Sequence, residues 1–272
     1  MPINQNVSAS DHTKYVKERS IIVGRKWVPP DFSTSFYNSQ LFYSSIAKRL
    51  TPLPDDVYYG GLLFNSGYLN VAPKTSLSFG TGDFTIEWFM KLSNITTGNG
   101  IFSIVLSPTS KVCVGVSGGA MRAGIDNGDD TTFGIATYSY VNVWTHCYLQ
   151  RSAGVFRVAA NGLYSLSRTV SFPINDGSLR IGADFDAGGN IRYLNGSISN
   201  FRVTLGTALY ATTYTQPSLP LSGAGRSLLL ISTARNPYKD TSSDSANSGI
   251  IAVGIPPGRI SGPFDVTPYV PP

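Results

Sequence analysis

Residues that could carry acid–base, nucleophilic or metal chemistry are few in this chain, and their spacing is informative. There are two glutamates, Glu18 and Glu87, the latter in the stretch TIEWF. Cleaving a glycosidic bond takes two carboxyl groups, about 5–5.5 Å apart for retention or about 6.5–9.5 Å for inversion. Glu87 has no acidic residue at i+2 or i+4, and the pairs Asp129–Asp130 and Asp184/Asp186 fall in glycine-rich loops. The histidines are His12 and His146. His146 adjoins Cys147, but successive strand side chains point to opposite faces, so the two cannot form a nucleophile–base dyad. His146 reads instead as a hydrogen-bonded structural histidine. No glycine-rich phosphate cradle stands between a strand and a helix. The chain therefore reads as non-enzymatic.

Two loops are rich in oxygen donors: IDNGDD (125–130) and ADFDAGGN (183–190). Calcium takes six to eight oxygens, and Asp184, Asp186 and Asn190 are the donors the second loop would offer it. Neither loop has EF-hand spacing, and turn chemistry is the alternative, because Asp, Asn and Gly make Asx-turns and tolerate positive φ. Cys113 (KVCVGV) and Cys147 (WTHCYLQ) sit in apolar, strand-like stretches without CxxC or metal spacing. One disulfide and two buried free thiols both stay open.

The elements that would position these residues are short strands. Gly 28, Pro 17, Tyr 15 and Phe 14 in 272 residues, with only 14% charged, describe a chain of many turns and strands. The net charge is +5, but no basic run exceeds Arg25-Lys26 or Lys48-Arg49, so a nucleic-acid stripe is not expected. The first twenty residues lack the apolar core of a secretory signal, so the Asn6, Asn94 and Asn195 triplets read as chance. No run of about 18 apolar residues predicts a membrane span. Strands are expected near 62–71, 84–91, 101–106, 111–116, 121–125, 132–137, 143–150, 154–160, 163–170, 178–182, 197–205, 226–231 and 249–254. Asn161-Gly162 is a two-residue hairpin signal. In NGSISNFRVTLGTALY (195–210), Ser199, Phe201, Val203 and Leu205 share one parity while Ile198 sits on the other. Ile198 and Phe201 can face one core only if a β-bulge lies between them.

Several motifs resemble, in order, the laminin-G-like, concanavalin A-like jelly rolls, especially those of bacteriophage and cyanophage virion proteins. They are GGLLFNSGYLNV with SLSFGTGDFTIEWFMKLS, VWTHCYLQRSAGVFRVAANGLYSLS, GSLRIGADFDAGGNIRYLNGSISNFRVTLGTALYATTYTQPSLPL, SLLLIS, and the stretch from KDTSSDSANSG to GPF. The resemblance implies an all-β, antiparallel two-sheet sandwich over residues 57–266. Before it the proline-rich boundary TPLPDD closes an N-terminal arm at 1–56, and after it VTPYVPP reads as a proline-stiffened tail at 267–272. The family usually writes Phe-Trp where this chain has Trp88-Phe89, and an acidic residue where it has Ser199 and Asn200. Sugar binding is the function the resemblance implies, with Asp126, Asn127, Asp129, Asp130, Tyr138 and Tyr140 in a rim loop. Edge packing is the alternative role of those tyrosines. A glycan-cleaving enzyme of the same superfamily and a free lectin are the competing functions.

The arm carries Trp27, Phe32, Phe36, Tyr37, Phe42 and Tyr43. Phe42, Ile46 and Leu50, spaced by four, predict one short helix capped by Asn38 or Ser39. Aromatics of this number would leave an apolar patch in water unless covered. The arm is expected to dock on another virion protein or a second copy of the chain, or else to fold over its own sheet edge. The expected location is the virion, assembled in the host cytoplasm, with cell-surface glycans as further partners.

Overall fold

The structure is a computed structural model. It describes residues 60–73, 77–107, 110–127, 131–134, 139–164, 167–171, 173–174, 177–185, 190–210, 213–222, 227–231, 240, 242 and 249–264. All belong to the unit Leu53–Pro272. The arm with its six aromatics, its expected helix and the tail at 267–272 lie outside the described residues.

The chain begins with β1 (Gly61–Asn65), β2 (Gly67–Val71), β3 (Phe84–Leu92), β4 (Asn99–Ser107), β5 (Ser110–Ser117) and β6 (Ala120–Asn127). There follow β7 (Thr131–Gly134), β8 (Thr145–Ser152), β9 (Val155–Ala160), β10 (Leu163–Tyr164), β11 (Arg168–Thr169) and β12 (Ser178–Ile181). The last are β13 (Ala183–Phe185), β14 (Ile191–Tyr193), β15 (Asn195–Leu205), β16 (Ser227–Ile231), β17 (Ile250–Gly254) and β18 (Gly258–Ile260). Among the described residues there is no α-helix.

A nine-stranded sheet runs β10-β9-β8-β3-β15-β1-β18, with β11 also on β9 and β16 also on β15. A seven-stranded sheet runs β17-β2-β12-β4-β5-β6-β7, and β13-β14 form a separate hairpin. The two sheets enclose one core, filled by the alternate residues of each strand: Phe84, Ile86, Trp88 and Met90 from β3, Val112, Val114 and Val116 from β5. Trp88 sits at its centre, edge-on to Phe102 at 5.2 Å and stacked on Phe201 at 6.2 Å.

The bulge in β15 is where the parity conflict requires it. Ser199 pairs with Phe89 and Arg202 with Glu87, so Asn200 and Phe201 together oppose Trp88. Asn200 takes the extra position at φ 50°, and both Ile198 and Phe201 are buried in the core. Asn161 and Gly162 also adopt positive φ (45° and 77°), closing the β9–β10 hairpin.

Two expected strands break in the fold. The run 62–71 divides at Ser66, which adopts φ 60°, so β1 joins the nine-stranded sheet and β2 the seven-stranded one. The run 163–170 divides into β10 and β11, both paired to β9. The hairpin β13–β14 and the strand β18 carry no alternation long enough to announce them.

Candidate functional site

Glu87, the lone glutamate of the sandwich, faces away from the core, yet it is fully buried, as are Thr85 and His146. The chain after β15 covers them. Thr85 Oγ1 donates to the Thr207 carbonyl and accepts from the Leu209 amide, both at 3.0 Å. The Tyr210 amide donates to Gln150 Oε1 at 3.1 Å, and Arg202 Nη1 donates to the Ser222 carbonyl at 3.0 Å. Glu87 Oε1 accepts from Arg202 Nε (2.8 Å) and Nη2 (2.5 Å), while Oε2 accepts from the Tyr210 hydroxyl (2.6 Å). His146 Nε2 stands 3.2 Å from Glu87 Oε2, and its Nδ1 stands 3.0 Å from the Tyr214 hydroxyl. An ionised carboxylate only accepts, so the proton between them belongs to Nε2.

Burial would raise the Glu87 carboxyl, but the His146 hydrogen bond, the Arg202 charge and the Tyr210 hydroxyl outweigh it and hold it below the ordinary value of 4.5. Burial and the neighbouring carboxylate push the Tyr210 phenol up, so it stays a donor. This cluster is a latch that fastens the 206–222 segment to the sheet. Tyr210 and Tyr214 thus pack on the outer face, with Tyr148 and His146. Trp88 faces the core and Phe89 the latch side, where it meets Phe264 at 4.9 Å.

The outer face of the seven-stranded sheet is built differently. In β2, Leu69 and Val71 enter the core, so Tyr68 and Asn70 face outward; in β12, Leu179 and Ile181 enter it and Arg180 faces outward. Register places Arg180 between Asn70 of β2 and Ser103 of β4. Its guanidinium lies 5.4 Å from the Tyr68 ring centre and 4.8 Å from that of Phe185. Tyr193, 39% exposed, stacks on Tyr68 at 6.4 Å. Phe185 and Tyr193 come from the β13–β14 hairpin, laid over the sheet. Its seat is bare backbone: a Cβ on Gly100 would stand 2.1 Å from the Arg192 carbonyl oxygen and 2.3 Å from the Asp184 nitrogen, and one on Gly115 2.5 Å from Asp184 Oδ2.

Gly100→Ala should therefore lift the hairpin or expel it, at a cost of about 1–3 kcal/mol. Denaturant unfolding would measure this, and unchanged stability would mean that the hairpin does not sit there. The hairpin is clamped by Asp184, which is buried and accepts from Arg192 Nε (2.9 Å) and Nη2 (2.6 Å).

The residues expected from sequence fall as follows. Asp184, read as a calcium donor, instead spends both carboxylate oxygens on Arg192; Asn190 is exposed and Asp186 lies outside the described residues. Among the described residues no group of three or more His, Cys, Asp or Glu side chains could hold a metal. Asp126 and Asn127 end β6, with Asp126 opposite Lys111; Asp129, Asp130 and Tyr138 lie outside the described residues. Tyr140 packs partly buried against the core. Asp126 and Asp184 stand apart along β5: Asp126 pairs with Lys111, and Asp184 rests on Gly115, four residues and about 13 Å further along the strand. Cys113 and Cys147 are both buried and form no disulfide; Cys147 enters the core and Cys113 points out of the other sheet. Tyr68, Arg180, Phe185 and Tyr193 escaped the sequence reading. Alternation in GYLNV and SLRIG put Tyr68 and Arg180 on outer faces, but only long-range pairing of β2 with β12 brings them together.

Fold and face define an antiparallel lectin-type sandwich. Residues 64–209, more than half of the chain, match the family model described as the concanavalin A-like lectin/glucanases superfamily (Laminin_G_3), and the chain belongs to that family. Among curated proteins none matches the sequence significantly. Solved structures of similar fold include a "putative carbohydrate binding protein" from Bacteroides ovatus (15% identity, TM-score 0.57), covering 78% of this chain and 62% of that one. Others are the heptameric SAP-like pentraxin of Limulus polyphemus (18%, TM-score 0.43, covering 54% and 76%) and domains LG4-5 of the mouse laminin α1 chain (13%, TM-score 0.44, covering 60% and 48%). This chain thus spans less than two thirds of the Bacteroides and laminin chains.

Proposed function

We propose that this chain is a non-catalytic virion subunit, a capsid decoration or tail-associated protein of a phage, whose sandwich binds glycans. The observation that carries the binding role is the outer-face cluster in which Arg180 lies against Tyr68 and Phe185 and Tyr193 stacks on Tyr68. Aromatic rings receive the apolar C–H face of a sugar, and a guanidinium donates to its oxygens; a few fixed polar groups in an aromatic setting are what a saccharide site requires. The Bacteroides protein of similar fold carries a carbohydrate-binding description, which favours the same reading here.

The superfamily includes glucanases, and Glu87 bears on that alternative. Its carboxylate is sealed under the 206–222 segment and committed to Arg202, His146 and Tyr210, with no second carboxylate among its partners. Acid–base cleavage would need an accessible pair. The virion role rests on the resemblance of the ordered motifs to those of phage virion proteins and on the aromatic arm at 1–56, which would join other virion proteins or copies of this chain. Nucleic acid is not among the partners. Among the described residues no helix is long and apolar enough to cross a membrane.

Purified protein incubated with host-surface polysaccharides should be retained without releasing reducing ends. Tyr193→Ala should weaken retention roughly 2- to 10-fold. Release of reducing ends would support the enzyme instead, and unchanged retention would remove Tyr193 from the site. Deleting residues 1–50 should leave a folded sandwich that no longer joins particles; normal incorporation would remove the anchoring role.

A further inference from the structure

Charge on the outer face is unevenly compensated. Arg192 meets the carboxylate of Asp184, but Arg180 meets no carboxylate among the described residues. Its partners are aromatic faces, and its buried Nε has no hydrogen-bond partner among the described residues. A further guanidinium, Arg122 of β6, is exposed on the same face, because its neighbours Met121 and Ala123 enter the core. Contact with two aromatic rings holds a guanidinium in place, and a guanidinium can donate in parallel to two oxygens of one anion.

We infer that the glycan recognised here is anionic, carrying a carboxylate or sulfate group that Arg180 binds bidentately while Tyr193 and Phe185 hold the sugar ring. This rests on the glycan-binding reading above and adds the chemical class of the ligand. Carboxylate and sulfate share the geometry of two oxygens on one centre, so either source satisfies the site. A neutral glycan leaves the Arg180 charge without a carboxylate among the described residues.

Binding of the full-length protein to three probes tests this by calorimetry: a uronic acid oligosaccharide, a sulfated oligosaccharide and a neutral β-glucan oligosaccharide of equal length. At least one anionic probe should bind about 10- to 100-fold more tightly than the neutral one, the fold-change expected of a charge-assisted hydrogen-bonded contact. Its affinity should fall as salt rises from low to physiological concentration. Arg180→Gln should abolish that preference, and Arg180→Lys should restore only part of it. The salt dependence of the unaltered protein provides a reading should the Gln variant fold poorly. Equal binding of neutral and anionic probes, or an anionic preference unaffected by Arg180→Gln in folded protein, would overturn the inference while leaving glycan binding in place. Absence of binding to all three would overturn both.

Discussion

Replacing Glu87 with alanine should lower the free energy of unfolding by about 3–5 kcal/mol, the cost of removing one partner from a buried ion pair. The side chain is 0% exposed and receives hydrogen bonds from Arg202, His146 and Tyr210, so its loss strands a guanidinium that is itself only 15% exposed. It also releases Tyr210 and with it the 206–222 segment. Loss of less than about 1 kcal/mol would mean the segment is held by its apolar contacts alone. The pH dependence has a definite sign. The folded-state carboxyl titrates below its ordinary 4.5. Its contribution is therefore fully present above that value and is lost as pH falls through the lower, folded value. Acid should destabilise the protein below about pH 4.5, and Glu87→Gln should flatten that decline. An unaltered acid limb in the variant would assign it to other carboxylates.

Trp88→Ala should be comparably damaging. The indole is 0% exposed and packs against Phe102 and Phe201, which join the two sheets, so truncation opens a cavity at the centre of the only large core among the described residues. Substitutions of this kind cost about 3–5 kcal/mol. Trp88→Phe should cost markedly less, because a ring remains to meet Phe102. Equilibrium unfolding in urea measures both, and a small loss for alanine with an unchanged urea dependence would show that the core collapses around the gap.

Much of this architecture was legible in residue pattern. The misplaced parity of Ile198 located the bulge in β15, because period-two alternation allows no other way to bury both Ile198 and Phe201. Asn161-Gly162 announced its hairpin through the positive φ that these residues accept. The structural role of His146 followed from the opposite orientation of Cys147. What the pattern concealed depends on non-local contact. GLLFNSGYLNV reads as one apolar run, and only Ser66 at positive φ sends its halves to different sheets. Glu87 looked like a lone acid because its partners Arg202 and Tyr210 lie more than a hundred residues away and meet it across the β3–β15 pairing. Asp184 looked like a cation ligand because its partner Arg192, eight positions on, meets it only across the β13–β14 pairing. The outer-face aromatics were concealed for the same reason: β2 and β12 are distant in sequence and adjacent in the sheet.

The most direct test of the glycan-binding account is a crystal structure of the protein with a bound oligosaccharide. The account predicts a sugar ring on the outer face of the seven-stranded sheet, against Tyr193 and Phe185, with oxygens of one substituent at Arg180. A saccharide bound at the far end of β5, beside Asp126 and Asn127, or against Glu87 on the nine-stranded sheet, would contradict it.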